Sequence, residues 1–291
     1  MQLLLNNPLI QELDDSLFEE KELKVFVLRL DLVHPFISGN KWYKLKYNLE
    51  EFQRQNKEFL VTFGGAYSNH LVATAAAGKE IGFKTIGIIR GEELNEDSNE
   101  CLTYLSSSGM KLIFVTREDY RHLRENNLLI SSLLTTPYAK LYVLPEGGSN
   151  ELAVKGCEEI VKDIAIDFDC ICCACGTGTT LAGMVSVLKT HQQAIGISVL
   201  TGEVFLEDTV KKFSGSKKNF QIIHNYHFGG YARSTEELEA FCKSFTERNN
   251  IPIEPVYTGK LFFGIYDLVR KDYFDKGKRV VVVHSGGRSP S

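Results

Sequence analysis

Apolar and polar positions along the chain follow two alternating patterns. Short runs rich in branched and aromatic residues indicate strands, and longer stretches with apolar residues three and four apart indicate helices. Alternation of the two predicts an α/β fold whose parallel sheets are covered by helices on both faces. The predicted strands lie at 24–30, 58–64, 84–91, 111–116, 140–148, 169–176, 195–200 and 279–287. The predicted helices contain WYKLKYNLEEFQRQ, HLVATAAAGKEIG, SNECLTYLSSSG, LAVKGCEEIVKDI, LAGMVSVLKTH and TEELEAFCKSFTERNN.

Composition narrows the class of protein. The 291 residues, 43% of them apolar, suffice for one large or two modest domains. No linker or repeat divides the chain, so two domains would have to be interleaved. A net charge of −4 argues against a nucleic-acid-binding surface, and no apolar run approaches the about 18 residues of a membrane helix. The N-terminus lacks the pattern of a secretory signal, so we expect a soluble cytoplasmic protein.

Four of the seven cysteines lie within the predicted strand DCICCACG. A zinc site usually takes its ligand pairs from separate places, and a redox C-x-x-C motif usually opens a helix. Alternate residues of a strand face opposite sides, so Cys170 and Cys172 would face one way and Cys173 and Cys175 the other. We therefore expect these thiols to pack in a buried strand, without a metal and without disulfides.

The segment Gly176-Thr177-Gly178-Thr179-Thr180 follows this strand and precedes a predicted helix. Backbone N–H groups, the helix dipole and three hydroxyls at such a turn suit a phosphate. The plainer alternative is an ordinary turn capped by threonine. The third glycine and the acidic partner of a dinucleotide site are missing, and so is the lysine of a Walker motif. The loop therefore predicts a phosphate that does not belong to a nucleotide.

Two further segments combine glycine with polar residues before a predicted helix. In SGNKWYKLKYN, Lys41 opens the helical stretch, where the dipole would lower its pKa and favour the neutral amine that a Schiff base needs. The alternative is a surface lysine. In FGGAYSNH, Ser68 and Asn69 would either cap the next helix or bind an anion such as a carboxylate together with the helix amides.

Three smaller signals, taken singly, favour a structural role over a catalytic one. Tyr231 in FGGYAR and Tyr257 in EPVYTGK would be core residues or would cover a site. The pair His224 and His227 has a metal-like spacing without a third partner, so we expect a loop or surface pair.

Taken in order, these elements resemble the fold-type II pyridoxal 5′-phosphate enzymes, specifically the family of 1-aminocyclopropane-1-carboxylate deaminase and D-cysteine desulfhydrase. The resemblance implies a tryptophan synthase β-like α/β fold with the cofactor between two domains. Residues 43–144 would form a small inserted domain, and residues 1–42 plus 145–291 the large one. It also implies a small amino-acid substrate and a homodimer. The shared elements are GNK-x-x-KL, GG-x-x-SNH, LPEGGSN, CGTGTT, GGY, EPVYTGK and HSGG.

The resemblance also implies roles for individual residues. Lys41 would form the Schiff base with the cofactor aldehyde, and Ser68 would bind the substrate carboxylate close to the reacting carbon. Tyr231 and Tyr257 would flank the substrate. The remaining cofactor contacts would be Lys44 near the phosphate, Asn69 on the phenolic oxygen, Gly176, Thr177, Gly178, Thr179 and Thr180 around the phosphate, and Thr258 and Ser285 near the pyridine nitrogen.

Two positions depart from the family pattern. Tyr43 stands where many members have arginine, and Thr258 stands where the deaminases have glutamate. Without that carboxylate the ring is a weaker electron sink, which favours thiolate elimination over opening a cyclopropane. We therefore expect desulfhydrase-like β-elimination to an α-keto acid, ammonia and sulfide. The alternatives are the deaminase reaction giving 2-oxobutyrate, a cofactor-binding protein without lyase activity, and a dinucleotide oxidoreductase.

Overall fold

The computed structural model describes residues 3–202, 205–215 and 217–287, and these form an α/β fold with two sheets. The strands are β1 (Leu9–Glu12), β2 (Lys24–Arg29), β3 (Phe59–Gly64), β4 (Lys84–Arg90), β5 (Met110–Val115), β6 (Leu141–Val143), β7 (Cys170–Cys175), β8 (Gln193–Ser198), β9 (Phe220–Ile223) and β10 (Arg279–His284).

Helices connect the strands and cover both sheets. They are α1 (Ser16–Glu20), α2 (Asn40–Arg54), α3 (Asn69–Ile81), α4 (Glu100–Ser107), α5 (Arg117–Glu125), α6 (Leu129–Leu134), α7 (Glu151–Lys162), α8 (Thr179–Val187), α9 (Phe205–Ser214), α10 (Glu236–Asn249) and α11 (Thr258–Arg270). Within the part of the chain that the structure describes, no helix is both long and apolar enough to cross a bilayer.

The large sheet has the strand order β1-β2-β10-β7-β8-β9, and the small sheet has the order β5-β4-β3-β6. The strands of the small sheet are all parallel, as predicted. The large sheet is parallel except at one edge, where β1 runs antiparallel to β2 with Leu9 opposite Arg29. Neither β1 nor β9 is among the predicted strands, because both are four-residue edge segments with mixed polarity.

The large sheet buries a core on each face. Cys170 and Cys172 pack on the side of α10 and α11, whereas Cys173 and Cys175 pack on the side of α7 and α8. The predicted alternation of the four thiols along β7 is therefore confirmed. All seven cysteines are buried and unpaired.

The chain leaves the large sheet after β2, builds the whole small sheet, and returns at β7. The four strands of the small sheet lie between Phe59 and Val143. This interleaving agrees with a small inserted domain. The boundaries at 43 and 144 stay a prediction, which we propose for the chain because all four strands of the small sheet lie between them.

Candidate active site

The carboxyl ends of parallel strands from both sheets meet at one cavity of about 910 Å³. Residues at or just after the carboxyl ends of β3, β4, β6, β7, β8 and β10 line it. Open α/β sheets bind ligands at this end of their strands because the connecting loops and helix N-termini converge there. The fold brings most of the predicted site residues together at this cavity. Those that line it are Lys41, Lys44, Ser68, Asn69, Gly176, Thr177, Gly178, Thr180, Tyr231, Tyr257 and Ser285.

Lys41 lies in the first turn of α2, as the sequence predicts. Its Nζ donates a hydrogen bond to Asn40 Oδ1 at 2.8 Å. Burial, followed by the positive charge of Lys44, lowers the pKa of Lys41 to about 7. The expected direction of the shift is thus present, but removal from water rather than the helix dipole is its main cause. A substantial fraction of this amine is neutral near pH 7.

Lys44 lies one turn further along α2 and is buried. Its Nζ donates to Thr177 Oγ1 at 3.1 Å and to the carbonyl oxygen of Gly147 at 3.0 Å. Burial lowers its pKa from the usual lysine value. An ammonium group at this position faces the turn that the sequence predicts to hold a phosphate.

The turn after β7 has the expected strand–turn–helix geometry. Gly178 adopts a left-handed φ of 75°, which a residue with a side chain rarely takes, and α8 begins at Thr179. The hydroxyl of Thr180 accepts a hydrogen bond from Asn40 Nδ2 at 2.8 Å, which ties the turn to the start of α2. Thr179 is fully buried, and its hydroxyl lies against that of Ser149. Its side chain therefore contributes to the wall behind the turn, while its backbone N–H remains at the helix N-terminus.

Ser68 caps α3, since its Oγ accepts a hydrogen bond from the backbone N–H of Leu71 at 3.3 Å. It also lines the cavity beside Asn69. Ser68 therefore caps α3 and also lines the cavity, so the two predicted roles do not exclude each other. The next residue, His70, is buried, and its Nε2 lies 2.9 Å from Thr62 Oγ1. Its Nδ1 is buried and has no hydrogen-bond partner among the described residues.

Tyr231 and Tyr257 come together as an edge-to-face pair with ring centroids 5.9 Å apart. Both rings line the cavity, although their positions are 26 residues apart in the sequence. Burial raises the pKa of Tyr257 well above its usual value, so its hydroxyl stays protonated at neutral pH. The pair gives one wall of the cavity an aromatic surface with two hydroxyl groups.

Thr258 and Ser285 occupy different surroundings. Ser285 lines the cavity, whereas Thr258 is fully buried. The hydroxyl of Thr258 donates to Glu254 Oε1 at 3.1 Å and accepts from the backbone N–H of Glu254 at 3.0 Å. Both hydrogen-bonding directions of this hydroxyl are thus in use within the chain.

Glu254, which lies beside the cavity-lining Gly287, is a residue that the sequence patterns do not single out. Its carboxylate accepts hydrogen bonds from the backbone N–H groups of Val256 at 2.6 Å, Tyr257 at 2.9 Å and Thr258 at 2.8 Å. Burial raises its pKa, while these bonds act in the opposite direction. A glutamate four residues before the first residue of α11 could have been recognised as a cap for that helix.

These residues suit a cofactor that carries an aldehyde and a phosphate. Lys41 supplies an amine with a lowered pKa. Lys44 and the Gly176–Thr180 turn supply an ammonium group, hydroxyls and a helix N-terminus. The profile of the family described as "Pyridoxal-phosphate dependent enzyme" matches residues 3–286, which is nearly the whole chain. The chain belongs to this family.

Proteins similar to this pyridoxal-phosphate-dependent enzyme include a Pyrococcus horikoshii protein named "Putative 1-aminocyclopropane-1-carboxylate deaminase". It is 32% identical over 280 residues, covering 91% of this chain and 85% of the relative. The Arabidopsis thaliana "Bifunctional D-cysteine desulfhydrase/1-aminocyclopropane-1-carboxylate deaminase, mitochondrial" is 28% identical, with 91% and 72% covered. A crystal structure titled as that of an ACC deaminase homologue superposes with a TM-score of 0.84 at 29% identity, covering 99% of this chain and 91% of that one. These matches confirm the family and fold expected from the sequence, and with them the cofactor.

Tyr43, which departs from the family pattern, does not face the substrate side of this enzyme. It is buried, and its hydroxyl donates to Asp163 Oδ2 at 2.5 Å. Burial and this hydrogen bond raise the pKa of the Tyr43 phenol above its usual value. Tyr43 therefore joins α2 to the end of α7, and it does not obstruct the cavity.

Proposed function

We propose that this enzyme catalyses β-elimination from a small amino acid, in the manner of a D-cysteine desulfhydrase. One cysteine and one water would give pyruvate, ammonia and hydrogen sulfide. The observation that carries the choice is the state of Glu254, the carboxylate that lies beside Gly287 in the described part of the segment after β10. Thr258 is neutral, and the nearby Glu254 carboxylate already accepts three backbone N–H groups. A ring nitrogen that faced the neutral hydroxyl of Ser285 would suit the expulsion of a good leaving group such as a thiolate.

When bound, pyridoxal phosphate supplies an aldehyde that joins an amine and a ring that withdraws electrons from the α-carbon. The chain supplies the groups that move protons. Lys41 has a pKa of about 7, so its Nζ can accept the α-proton at neutral pH. Asn40 Oδ1 accepts a hydrogen bond from the same Nζ and orients it.

The start of α3 is the proposed binding site for the substrate carboxylate. Ser68 and Asn69 both line the cavity at this helix N-terminus, where backbone N–H groups and the helix dipole attract an anion. Tyr231 and Tyr257, which line the same cavity, would flank the substrate. Two aromatic rings beside the substrate would favour a small side chain.

A second candidate is 1-aminocyclopropane-1-carboxylate deamination to 2-oxobutyrate and ammonia. The Tyr231–Tyr257 pair favours it, because a phenol that stays protonated can donate a proton to the carbon released by ring opening. Ser68 is the other group close enough to the proposed carboxylate site to assist. The names of the relatives from Pyrococcus horikoshii and Arabidopsis thaliana also support this alternative.

One panel of substrates distinguishes the two reactions. The purified enzyme would be mixed with D-cysteine, L-cysteine, D-serine or 1-aminocyclopropane-1-carboxylate, and keto acid, ammonia and sulfide would be measured. We expect sulfide and pyruvate from cysteine at a higher kcat/KM than 2-oxobutyrate from the cyclopropane. A preference for the cyclopropane would replace the first proposal by the second.

The same panel tests the site. Lys41→Ala should lose the absorbance of the lysine–cofactor adduct and all turnover, whereas Lys79→Ala, an exposed change on α3, should keep both. Turnover of Lys41→Ala at the rate of the unaltered enzyme would remove Lys41 from its proposed role.

We further propose that the enzyme works as a homodimer in the cytoplasm, with water hydrolysing the released product. The family resemblance supports the dimer. The seven buried, unpaired thiols support a reducing compartment, where cysteine persists without disulfides.

A further inference from the structure

Lys260 is a fully buried lysine that none of the proposed reaction steps uses. It lies on α11, one turn after Tyr257. Its Nζ donates to the carbonyl oxygens of Gly230 at 2.7 Å, His227 at 2.8 Å and Val199 at 3.4 Å. An ammonium group has three N–H donors, so these three carbonyls account for all of them.

The three carbonyls belong to segments that are distant in sequence but adjacent to the cavity. Val199 follows β8, whereas His227 and Gly230 close a tight turn in which the N–H of Gly230 donates to the carbonyl of His227 at 2.9 Å. Tyr231 is the next residue. The ammonium of Lys260 therefore connects the turn that carries Tyr231 to the helix that carries Tyr257.

Carbonyl oxygens that converge on a buried positive charge resemble the sites that proteins build for dehydrated monovalent cations. A buried ammonium would be costly without such partners, because burial removes its water. Burial lowers the pKa of Lys260, and the charge of Glu254 acts in the opposite direction. The direct contacts of the Nζ are nevertheless backbone oxygens rather than carboxylates.

We propose that Lys260 is a positioning residue that acts as a tethered monovalent cation. Its ammonium group holds the carbonyls of Val199, His227 and Gly230 together and thereby fixes Tyr231 against Tyr257. This role rests on the proposed function only in so far as the tyrosine pair borders the substrate. The carbonyl site itself exists whatever the substrate is.

The proposal predicts that removing the side chain leaves a site that an external cation can enter. In Lys260→Ala, the three carbonyls would lose the ammonium but keep their geometry in part. Potassium or ammonium ions should then bind there, whereas choline is too large. Lys260→Met would fill the same space with an uncharged chain and should not bind a cation.

The test is thermal unfolding of the cofactor-loaded protein in sodium, potassium, ammonium or choline chloride at one ionic strength. We expect Lys260→Ala to gain about 3 °C or more in Tm from potassium or ammonium relative to choline, in a saturable way. The unaltered protein, Lys260→Met and the exposed change Lys243→Ala should respond equally to all four salts. An equal response of Lys260→Ala to all four salts would overturn the proposal.

Folding of the variants gives further outcomes. If Lys260→Ala is insoluble in sodium, we expect ammonium but not choline to recover it, and insolubility in every salt contradicts the proposal. Lys260→Met should retain the absorbance of the lysine–cofactor adduct but show at least a threefold higher KM. An unchanged KM in a folded Lys260→Met also contradicts it. The Tm measurement needs no substrate, so its result is independent of the proposed reaction.

Discussion

Gly39 lies so close to Ser285 that a Cβ atom on Gly39 would be 1.7 Å from the Ser285 carbonyl oxygen. Gly39 also has a φ of +64°, and the backbone N–H of Asn40 donates to the same carbonyl at 3.3 Å. The segment that begins α2 and the segment after β10 therefore touch backbone to backbone. This contact sets the position of Lys41 relative to Ser285.

Gly39→Ala should separate these two segments. No backbone atom can lie 1.7 Å from a methyl carbon, so one segment must move, and Lys41 moves with it. We expect at least a tenfold loss of cofactor affinity, measured by titrating the apo-protein and following the absorbance of the lysine–cofactor adduct. Gly82→Ala is the control, because Gly82 also has a positive φ, +88°, but has open space around it. Equal affinities in the two variants would show that close approach is not the cause.

The lowered pKa of Lys41 predicts how fast the apo-protein reacts with an aldehyde at each pH. Only the neutral amine reacts, and its fraction rises with pH until the pKa of about 7 is passed. The rate of adduct formation with pyridoxal should therefore rise up to about pH 7 and level off above pH 8. Pyridoxal is used because a phosphate group titrates near pH 6. A rate that still increases tenfold between pH 8 and pH 9 would indicate an ordinary lysine.

The cysteines of β7 should be inert in the folded protein. All seven thiols are buried, and burial raises the pKa of Cys172, while the hydrogen bond with Cys175 and burial raise that of Cys173. Because the thiolate is the reactive form, an aromatic disulfide reagent should label none of them within minutes in native protein. In denaturant it should label all seven. Rapid labelling of one or more native thiols would instead indicate an accessible, functional cysteine.

The order of elements could be predicted because the apolar patterns are strong in buried parallel strands. Every residue of β7 is buried, and the glycines of the turn that follows mark the change from strand to helix α8. Helix α11 is not among the predicted elements, because Pro255 and Gly259 suggest an extended or turning chain. Its start depends on the side chain of Glu254, which accepts the N–H groups that the first turn leaves free. A capping interaction of this kind outweighs the local propensity of the segment.

The directions of individual side chains could not be predicted either, because they depend on how the helices pack. Tyr43 and Lys44 are adjacent in sequence, yet one contacts Asp163 and the other contacts Thr177. Helical geometry turns neighbours by about 100°, so which face meets the cavity depends on how α2 packs. The motif GNK-x-x-KL therefore identifies the lysines. The orientation of Tyr43 away from the cavity follows only from the packing of α2 on α7.

Lys44 should contribute to cofactor binding through the phosphate alone. Its ammonium lies beside Thr177 in the turn that precedes α8, so Lys44→Met removes a charge that a phosphate would meet. A hydrogen bond between charged groups contributes about 1.5–3 kcal/mol, which corresponds to about a 10- to 100-fold change in affinity. We expect that loss for pyridoxal phosphate and less than about a threefold change for pyridoxal, which has no phosphate. Lys46→Met, on the same helix but paired with Glu159, should alter neither affinity. Equal losses for both ligands would mean that Lys44 supports the fold of the site rather than the phosphate.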